Sequence, residues 1–596
     1  MANSNNRKKT GTELLASLDQ GRLGFFIKLA FGVALIITIA LINLYVHFIG
    51  FNSATAMNQA QIARNIASGK GFTTDVITPH ALATLTKAKK FTTDKIDAAH
   101  IPDIYESPLV PYLYAVPLAF ARSLWTITPN DTIYQPERIL AILNIVLMIL
   151  ALVVWYRVLV TLFDPLVATT ASVALGLTDI LWLFSLSALP QMSLLLLFGV
   201  AMLFTVYAEE QQAEGNLFRC MLFLLIAGVF FGLMALTHGL AVWIFLGWLV
   251  FVGIYFHPRG FVVLLPLLAA LLIATPWLVR NYMECGNPIG IAYKGAFDSS
   301  SPYDGFLRFS EDSKNTTIKF SIRDGIPRQL NVLFSYLGIN ILAIAFFMSL
   351  LHRFRNESPS KFRWGFAIMW AFALLGMCFY RPDSTVSVNQ IHVIFLPAFV
   401  GYGVAFCLVL WGRWNITLPI FRTFFLALLV LLCSVPMLLR FTGGSQRSIA
   451  WPPYIPSFIG GIVCPWFTPD EIICADIPWA TAWYGQRISL LIPSSVQAFN
   501  TLRDYSDFKQ PICGLYLTPV SLNKRLSSEI YRGKYAEWVG LFTRPPRLTG
   551  FPFQFVVPLP IDQECLLYAD RARWNEPRKI PETDEDSTET STPDSK

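Results

Sequence analysis

Two carboxylates, Asp103 and Glu106, stand three residues apart in IPDIYESPLVPYLYA (101–115). A carboxylate beside a substrate hydroxyl can take its proton as a general base or orient it for attack. Forty-odd residues upstream, MNQAQIARNIASGKGF (57–72) holds Asn58, an amide that can orient a hydroxyl but cannot accept its proton. The candidate anion binders are Arg280 in PWLVRNYMECGNPIG (276–290), Lys294 just after it, Arg64 in the 57–72 stretch, and His392 at the head of an apolar run. Arginine is permanently charged, and its planar fork matches phosphate oxygens. Each has a plainer reading: an Arg snorkelling to a membrane interface, a solvated loop Lys, a histidine satisfied in a core. The same holds for His238 in ALTHGLA. No CxxC or His/Cys spacing suggests zinc. No convincing acidic cluster suits a divalent cation, so the expected metal site is none and the expected cofactor is none, with a divalent metal left open but not indicated.

The elements that must position these groups are set by composition. The chain has 596 residues, 54% of them hydrophobic and 14% charged, where a soluble domain carries about 25% charged residues. Mean hydropathy is +0.50. This is the profile of a multi-span α-helical membrane protein. The net charge of +7 fits cytoplasmic-loop Lys and Arg better than nucleic-acid binding.

Apolar runs long enough to span occur at 24–50, 139–163, 217–236, 238–256, 262–280, 332–351, 363–381, 390–411 and 417–439. Residues 108–125 form a shorter, Pro-containing candidate. Residues 167–207 read as one span plus a re-entrant piece, two short spans, or three. The total is about 11 crossings, up to about 13. The first run is too long for a signal-peptide core and lacks a cleavage site, so it reads as a signal anchor with a cytoplasmic amino end over 1–23. The basic segment HRFRNESPSKFR (352–363) is expected in the cytoplasm. Alternation then puts loops 51–107 and 281–331, and everything after about 440, outside: the periplasm, if the membrane is a bacterial inner membrane.

The transmembrane unit covers 24–440. Residues 441–574 alternate strand-like runs (EIICADI, RISLLI, CGLYLTPV, ECLLYAD) with helix-like runs, the pattern of a small α/β domain. Residues 575–596 are Pro-, Ser-, Thr- and acid-rich and are expected to be disordered. Nine cysteines are scattered, five of them in segments placed outside, where a disulfide is open. No internal repeat supports a secondary transporter built from two inverted halves.

The 57–72 stretch reads as a short helix closing at Gly69 and Gly71. Ala56, Ala60, Ala63 and Ala67 share one face, and Asn58, Gln61 and Asn65 line another. Such a two-faced helix suits the membrane interface.

In order along the chain stand a membrane helix, an external helix ending Ala-Arg-Asn-x-Ala-x-Gly-x-Gly-Phe, a Pro-led apolar run, and Pro-Trp-Leu-x-Arg-Asn-Tyr-x-x-x-Gly-Asn-Pro. This order resembles the GT-C superfamily of membrane glycosyltransferases. Within it, the chain looks like the branch holding protein O-mannosyltransferases, the aminoarabinose transferase of lipid A and the RgtA/B/C/D-like enzymes. The resemblance covers about 24–440, and DIPWATAWYGQRISLLIP (476–493) is similar to a segment in the external domain of some bacterial members.

The resemblance implies sugar transfer from a polyprenyl-phosphate carrier to an envelope lipid, glycan or protein acceptor outside the membrane. An external acid would act as base, and basic groups would hold the departing phosphate. The family includes metal-free and metal-dependent branches. Its usual Asp lies about nine residues before the helix Arg, where this chain has Thr55. Some relatives carry Asp where Asn58 stands, and a second family acid falls near Gln191. Glu106 matches the Glu of the Glu-Lys-Pro pattern, with Ser107 replacing the Lys. Three readings follow: Glu106 or Asp103 is the acid/base; Asn58 orients an acceptor with little base help; or the chain is a catalytically inactive scaffold in envelope assembly.

Overall fold

The computed structural model describes residues 22–88, 96–292, 322–336, 338–352, 354–380, 386–414, 418–443, 454–493, 495–504, 508–518, 536–542, 551–559 and 565–575. Lys294, the expected disordered tail beyond 575 and the first 21 residues lie outside them.

The chain opens with α1 (Arg22–Ile42). Then come α2 (Ala54–Ala67), the two-residue strand β1 (Val76–Ile77), α3 (Pro79–Lys87) and α4 (Leu109–Phe120). The apolar bundle continues with α5 (Gln135–Leu162), α6 (Pro165–Gly176), α7 (Asp179–Leu186), α8 (Gln191–Ala213), α9 (Leu217–Thr237), α10 (Ala241–Tyr255) and α11 (Leu264–Cys285). It is completed by α12 (Ile322–Ser335), α13 (Asn340–Ser349), α14 (Glu357–Met377), α15 (Leu396–Arg413) and α16 (Pro419–Thr442). Last come β2 (Ile472–Ala475), α17 (Pro478–Gly485), β3 (Ile488–Leu491), α18 (Val496–Asp504), β4 (Ile512–Leu517), β5 (Phe555–Pro558) and β6 (Leu566–Ala569).

In lipid every backbone polar group must be satisfied within the segment, so apolar runs become helices. Among the described residues seven helices are long and apolar enough to cross a bilayer, and α6 with α7, bent by 55°, makes an eighth if the pair counts as one. The chain is a multi-pass membrane protein. Residues 167–207 thus resolve into that bent pair and the single long helix α8. Arg440 of α16 sits 3.0 Å from Asp179 at the bend and also donates to Asn43 Oδ1 at 2.6 Å. Small residues set the helix spacing, as membrane packing favours. A Cβ on Gly228 of α9 would lie 2.5 Å from the Pro266 carbonyl oxygen of α11.

Residues 108–125 hold no helix long enough to cross a bilayer by itself. Helix α4 has 12 residues, about 18 Å of helix against a hydrocarbon core of about 30 Å. It lies beside α2 and runs in the same direction. Glu106, just before α4, bonds Asn58 and Gln59 early in α2, and Arg122, just after α4, donates to the Ala67 carbonyl at the end of α2.

Helix α2 is enclosed by protein on its faces rather than lying open on a surface. Every residue from Ala54 to Asn65 is buried, because α4 packs on one side and α17 on the other. Its amides therefore face protein partners rather than water.

The strands form one six-stranded sheet in the order β1-β3-β2-β4-β6-β5. The β1/β3, β3/β2 and β2/β4 pairs are parallel, and the two pairs of β6 are antiparallel. The edge strand β1 comes from the first loop, pairing Val76 with Ser489 and Ile77 with Leu490. The sheet is therefore not contained within 441–574. All nine cysteines are free thiols.

Arg64 fixes the sheet region to the bundle. It donates to Trp483 O at 2.7 Å and Ala482 O at 2.6 Å, two carbonyls of the last turn of α17, where a helix has no internal donors. The Trp483 indole donates to Glu137 Oε1 at 3.0 Å, at the start of α5. Arg64→Ala leaves two buried carbonyls without donors, at about 1–3 kcal/mol each. Limited proteolysis of detergent-solubilised protein should then cut between the bundle and the sheet faster than in wild type. An unchanged cleavage rate would show that the docking does not depend on Arg64.

Candidate functional site

The first loop closes on itself before it can hold anything. Thr74 N donates to Ile101 O at 2.9 Å and Asp103 N to Phe72 O at 3.3 Å, so 72–74 runs antiparallel to 101–103. Arg280 at the end of α11 clamps the closure, donating to the carbonyls of Asp103 and, at 3.2 Å, of Phe72. Its guanidinium also packs over the Phe72 and Trp277 rings, 5.3 and 4.8 Å from their centroids. Beyond α11, Ile291 N donates to Ile104 O at 3.0 Å. Gly290 has φ +67°, and a Cβ there would come within 2.2 Å of that same oxygen, so only glycine fits. The segments following α1 and α11 therefore meet at one end of the bundle.

Asp103 turns the chain toward α2. Its Oδ1 accepts from Tyr105 N at 2.9 Å and Glu106 N at 2.7 Å, a local Asx turn. Glu106 then meets two neighbouring amides of α2: Asn58 Nδ2 donates to Oε1 at 3.0 Å and Gln59 Nε2 to Oε2 at 2.9 Å. Both carboxylate oxygens accept charge-assisted bonds, the pattern an ionised side chain satisfies.

Glu106 opens onto a cavity of about 330 Å³ walled by Thr55 and Gln59 of α2, Tyr105–Ser107, Thr237–Leu240 with Trp243, Ile289, Phe379–Tyr380 and Val388–Asn389. Among the described residues Glu106 is the one carboxylate in this wall, and no Lys or Arg lines it. The Thr55 hydroxyl and Gln59 Oε1 are buried without a hydrogen-bond partner, so both are free for a ligand. His238 Nδ1 accepts from Leu240 N at 3.2 Å, which leaves Nε2 as the N–H donor. Burial pushes the His238 imidazole down to about 4, so it is neutral at pH 7.

The structure gathers Asn58, Asp103 and Glu106 as their residue types suggest, with different duties. Asp103 shapes the turn and Asn58 holds Glu106. Arg280 sits behind the wall rather than in it. Arg64 docks α17, 3.9 Å from Asp75, and does not line this cavity. His392 is a core histidine: Nε2 lies 3.1 Å from Gln329 O and Nδ1 accepts from Trp370 Nε1 at 3.2 Å, so neither ring nitrogen is left for a phosphate. Gln191 holds the 387–390 segment by donating to Ser387 O at 3.0 Å and Val388 O at 2.8 Å. The amide face of Asn58, Gln61 and Asn65 did not include Gln59. The signal was present, since Thr55 and Gln59 are four apart and share a helix face. Among the described residues no three His, Cys, Asp or Glu side chains converge as metal ligands would.

No family model and no curated relative matches the chain. Solved structures do. The chain is similar to ArnT from Cupriavidus metallidurans bound to undecaprenyl phosphate, with a TM-score of 0.58 at 11% identity over 91% of this chain and 99% of that one. It is also similar to the oligosaccharyltransferase AglB from Archaeoglobus fulgidus in complex with an inhibitory peptide and a dolichol-phosphate, with a TM-score of 0.53 at 12% identity over 93% and 75%. The chain therefore shares the fold of these two structures.

Burial raises the Asp103 pKa, opposed by the backbone N–H bonds from Glu106 and Tyr105 and by Arg280. A carboxyl raised on folding contributes stability in full below its unfolded value and loses it as pH rises through the folded one. In Asp103→Asn the amide oxygen can keep both N–H bonds and the charge is gone. Thermal melts should show this variant gaining on wild type as pH rises from about 4 to about 8. A wild type that gains on the variant over that range would contradict the burial account.

Proposed function

We propose that this protein is a glycosyltransferase that moves a sugar from a polyprenyl-phosphate carrier to an envelope lipid, glycan or protein acceptor, at the periplasmic face of a bacterial inner membrane. The observation that carries the reading is Glu106: a carboxylate held by two amides, opening onto a cavity at the junction of the first loop and the segment after α11. An acceptor hydroxyl placed there gives its proton to Glu106 as its oxygen bonds the anomeric carbon. The bond from that carbon to the phosphate oxygen breaks, and the carrier phosphate leaves with the electron pair.

The fold supports this reading, as do the undecaprenyl phosphate and dolichol-phosphate bound by the ArnT and AglB structures. Three of the five Arg280 N–H donors bond Phe72 O, Asp103 O and Asn281 Oδ1. The other two are proposed for the carrier phosphate, together with Lys294, which lies outside the described residues. The basic 352–363 segment, which runs into the first turns of α14, supports a cytoplasmic position for that end of the bundle and a periplasmic one for the cavity. Divalent metal plays no part in the proposed step.

A second reading, a non-catalytic binding protein on the same scaffold, is favoured by Thr55, which meets the cavity where the resembled enzymes carry Asp. Reconstituted protein screened against polyprenyl-phosphate-linked sugars separates the two. Glu106→Gln should lower kcat by about 10²–10⁴ while the melting temperature holds. Full turnover in that variant would remove Glu106 as base. No turnover with any donor in wild type, with polyprenyl-phosphate binding retained, would favour the binding protein.

A further inference from the structure

Behind Glu106 runs a chain of buried hydrogen bonds that ends in the sheet. Asn58 can donate to Glu106 only with its Nδ2 facing the carboxylate, which turns Oδ1 the other way. That oxygen accepts from Gln61 Nε2 at 3.1 Å. Gln61 is oriented in turn by Asp75, whose backbone N–H donates to Gln61 Oε1 at 3.1 Å, and Gln61 Nε2 also donates to the Thr74 hydroxyl at 2.7 Å. A backbone N–H can only donate, so this bond fixes which end of the Gln61 amide faces which way, and the Asn58 amide follows. Asp75 is itself held by the sheet, since Ser489 N of β3 donates to Asp75 O at 2.8 Å. Gln61 is fully buried, and Asn58 and Ser489 are nearly or fully so.

We infer that Gln61 is a positioning residue: anchored through Asp75 to the β1–β3 edge of the sheet, it locks the Asn58 amide so that its N–H faces Glu106 and holds that side chain as a carboxylate open to the cavity. The sheet therefore reaches the cavity through four hydrogen bonds, from Ser489 to Asp75, Gln61, Asn58 and Glu106. This goes beyond the proposed reaction, on which it rests for its consequence but not for its test.

Among the described residues, charged and titratable groups lie near this carboxylate on several elements. Asp103 lies on its own segment, with Arg280 behind it. His238 shares the cavity from the α9–α10 junction, and the Arg64–Asp75 pair lies behind Gln61. Of these, Gln61 bonds only Asp75, through the Asp75 backbone N–H.

The test is the rate at which a water-soluble carbodiimide with glycine methyl ester labels Glu106, mapped by peptide mass spectrometry on the full-length protein in detergent across a pH series. Carbodiimide reacts with the protonated carboxyl, so losing the Asn58 bond raises labelling at a given pH. Gln61→Leu should raise Glu106 labelling about tenfold, a shift of about one pH unit. Labelling of Asp97 on the same loop serves as the control and should stay within about twofold, a rise that general loosening of the loop would not spare. Gln61→Glu keeps an acceptor for Asp75 N and removes the donor to Asn58, so it decides the matter if the leucine variant does not fold, with the same rise expected. Equal Glu106 labelling in folded variant and wild type overturns the inference. A parallel rise at Asp97, or no labelling of Glu106 in any protein, overturns it as well.

Discussion

The site depends on the closure of the first loop against itself and against the end of α11. A carboxylate is useful only if its orientation is fixed, and Glu106 lies at the end of a long loop, where fixing is hardest. The solution is to pin the loop twice. Backbone pairing between 72–74 and 101–103 forms a short antiparallel neck, and one guanidinium bonds a carbonyl from each strand of it. Glu106 then emerges three residues beyond a fixed point, and the Asp103 turn removes the freedom that remains.

Helix α2 is the second half of the arrangement. It carries its amides in the protein interior, where an unpaired polar group costs several times what a hydrogen bond contributes at the surface. Those amides must find partners, and they find Glu106 on one side and Asp75 on the other. Burial turns a helix with weak apolar character into a scaffold of oriented donors. Arg64 holds the same helix to the last turn of α17. The sheet region and the cavity therefore share one structural member.

The long apolar runs were legible in part: six of the nine are helices long and apolar enough to cross, whereas 238–256 holds only the 15-residue α10 and 332–351 is split between α12 and α13. Glu106, Asp103 and Asn58 were legible as chemistry but not as a constellation, since their roles depend on which oxygen meets which amide. Residues 108–125 were legible as apolar but not by helix length. Their composition suits lipid, but the 12 residues of α4 are too few to cross by themselves, and α4 lies against α2. Arg64 and His392 show the limit of reading charge from sequence: a cation near a membrane surface is equally at home on backbone carbonyls, as Arg64 is, and a histidine flanked by apolar residues satisfies both nitrogens internally, as His392 does. The contribution of β1 to a sheet more than 390 residues away in sequence carried no local signal, since two residues of strand are below what alternation can register.

The central claim is spatial: one cavity, bounded by the first loop and the segment after α11, with Glu106 on its wall, receives the reacting headgroup. Cryo-electron microscopy of the full-length protein in lipid nanodiscs, soaked with a non-transferable polyprenyl-phosphate sugar analogue, addresses it directly. The account predicts headgroup density between Glu106, His238 and Asn389, with the isoprenoid leaving toward lipid. Headgroup density elsewhere on the bundle, with that cavity filled only by water, would contradict it.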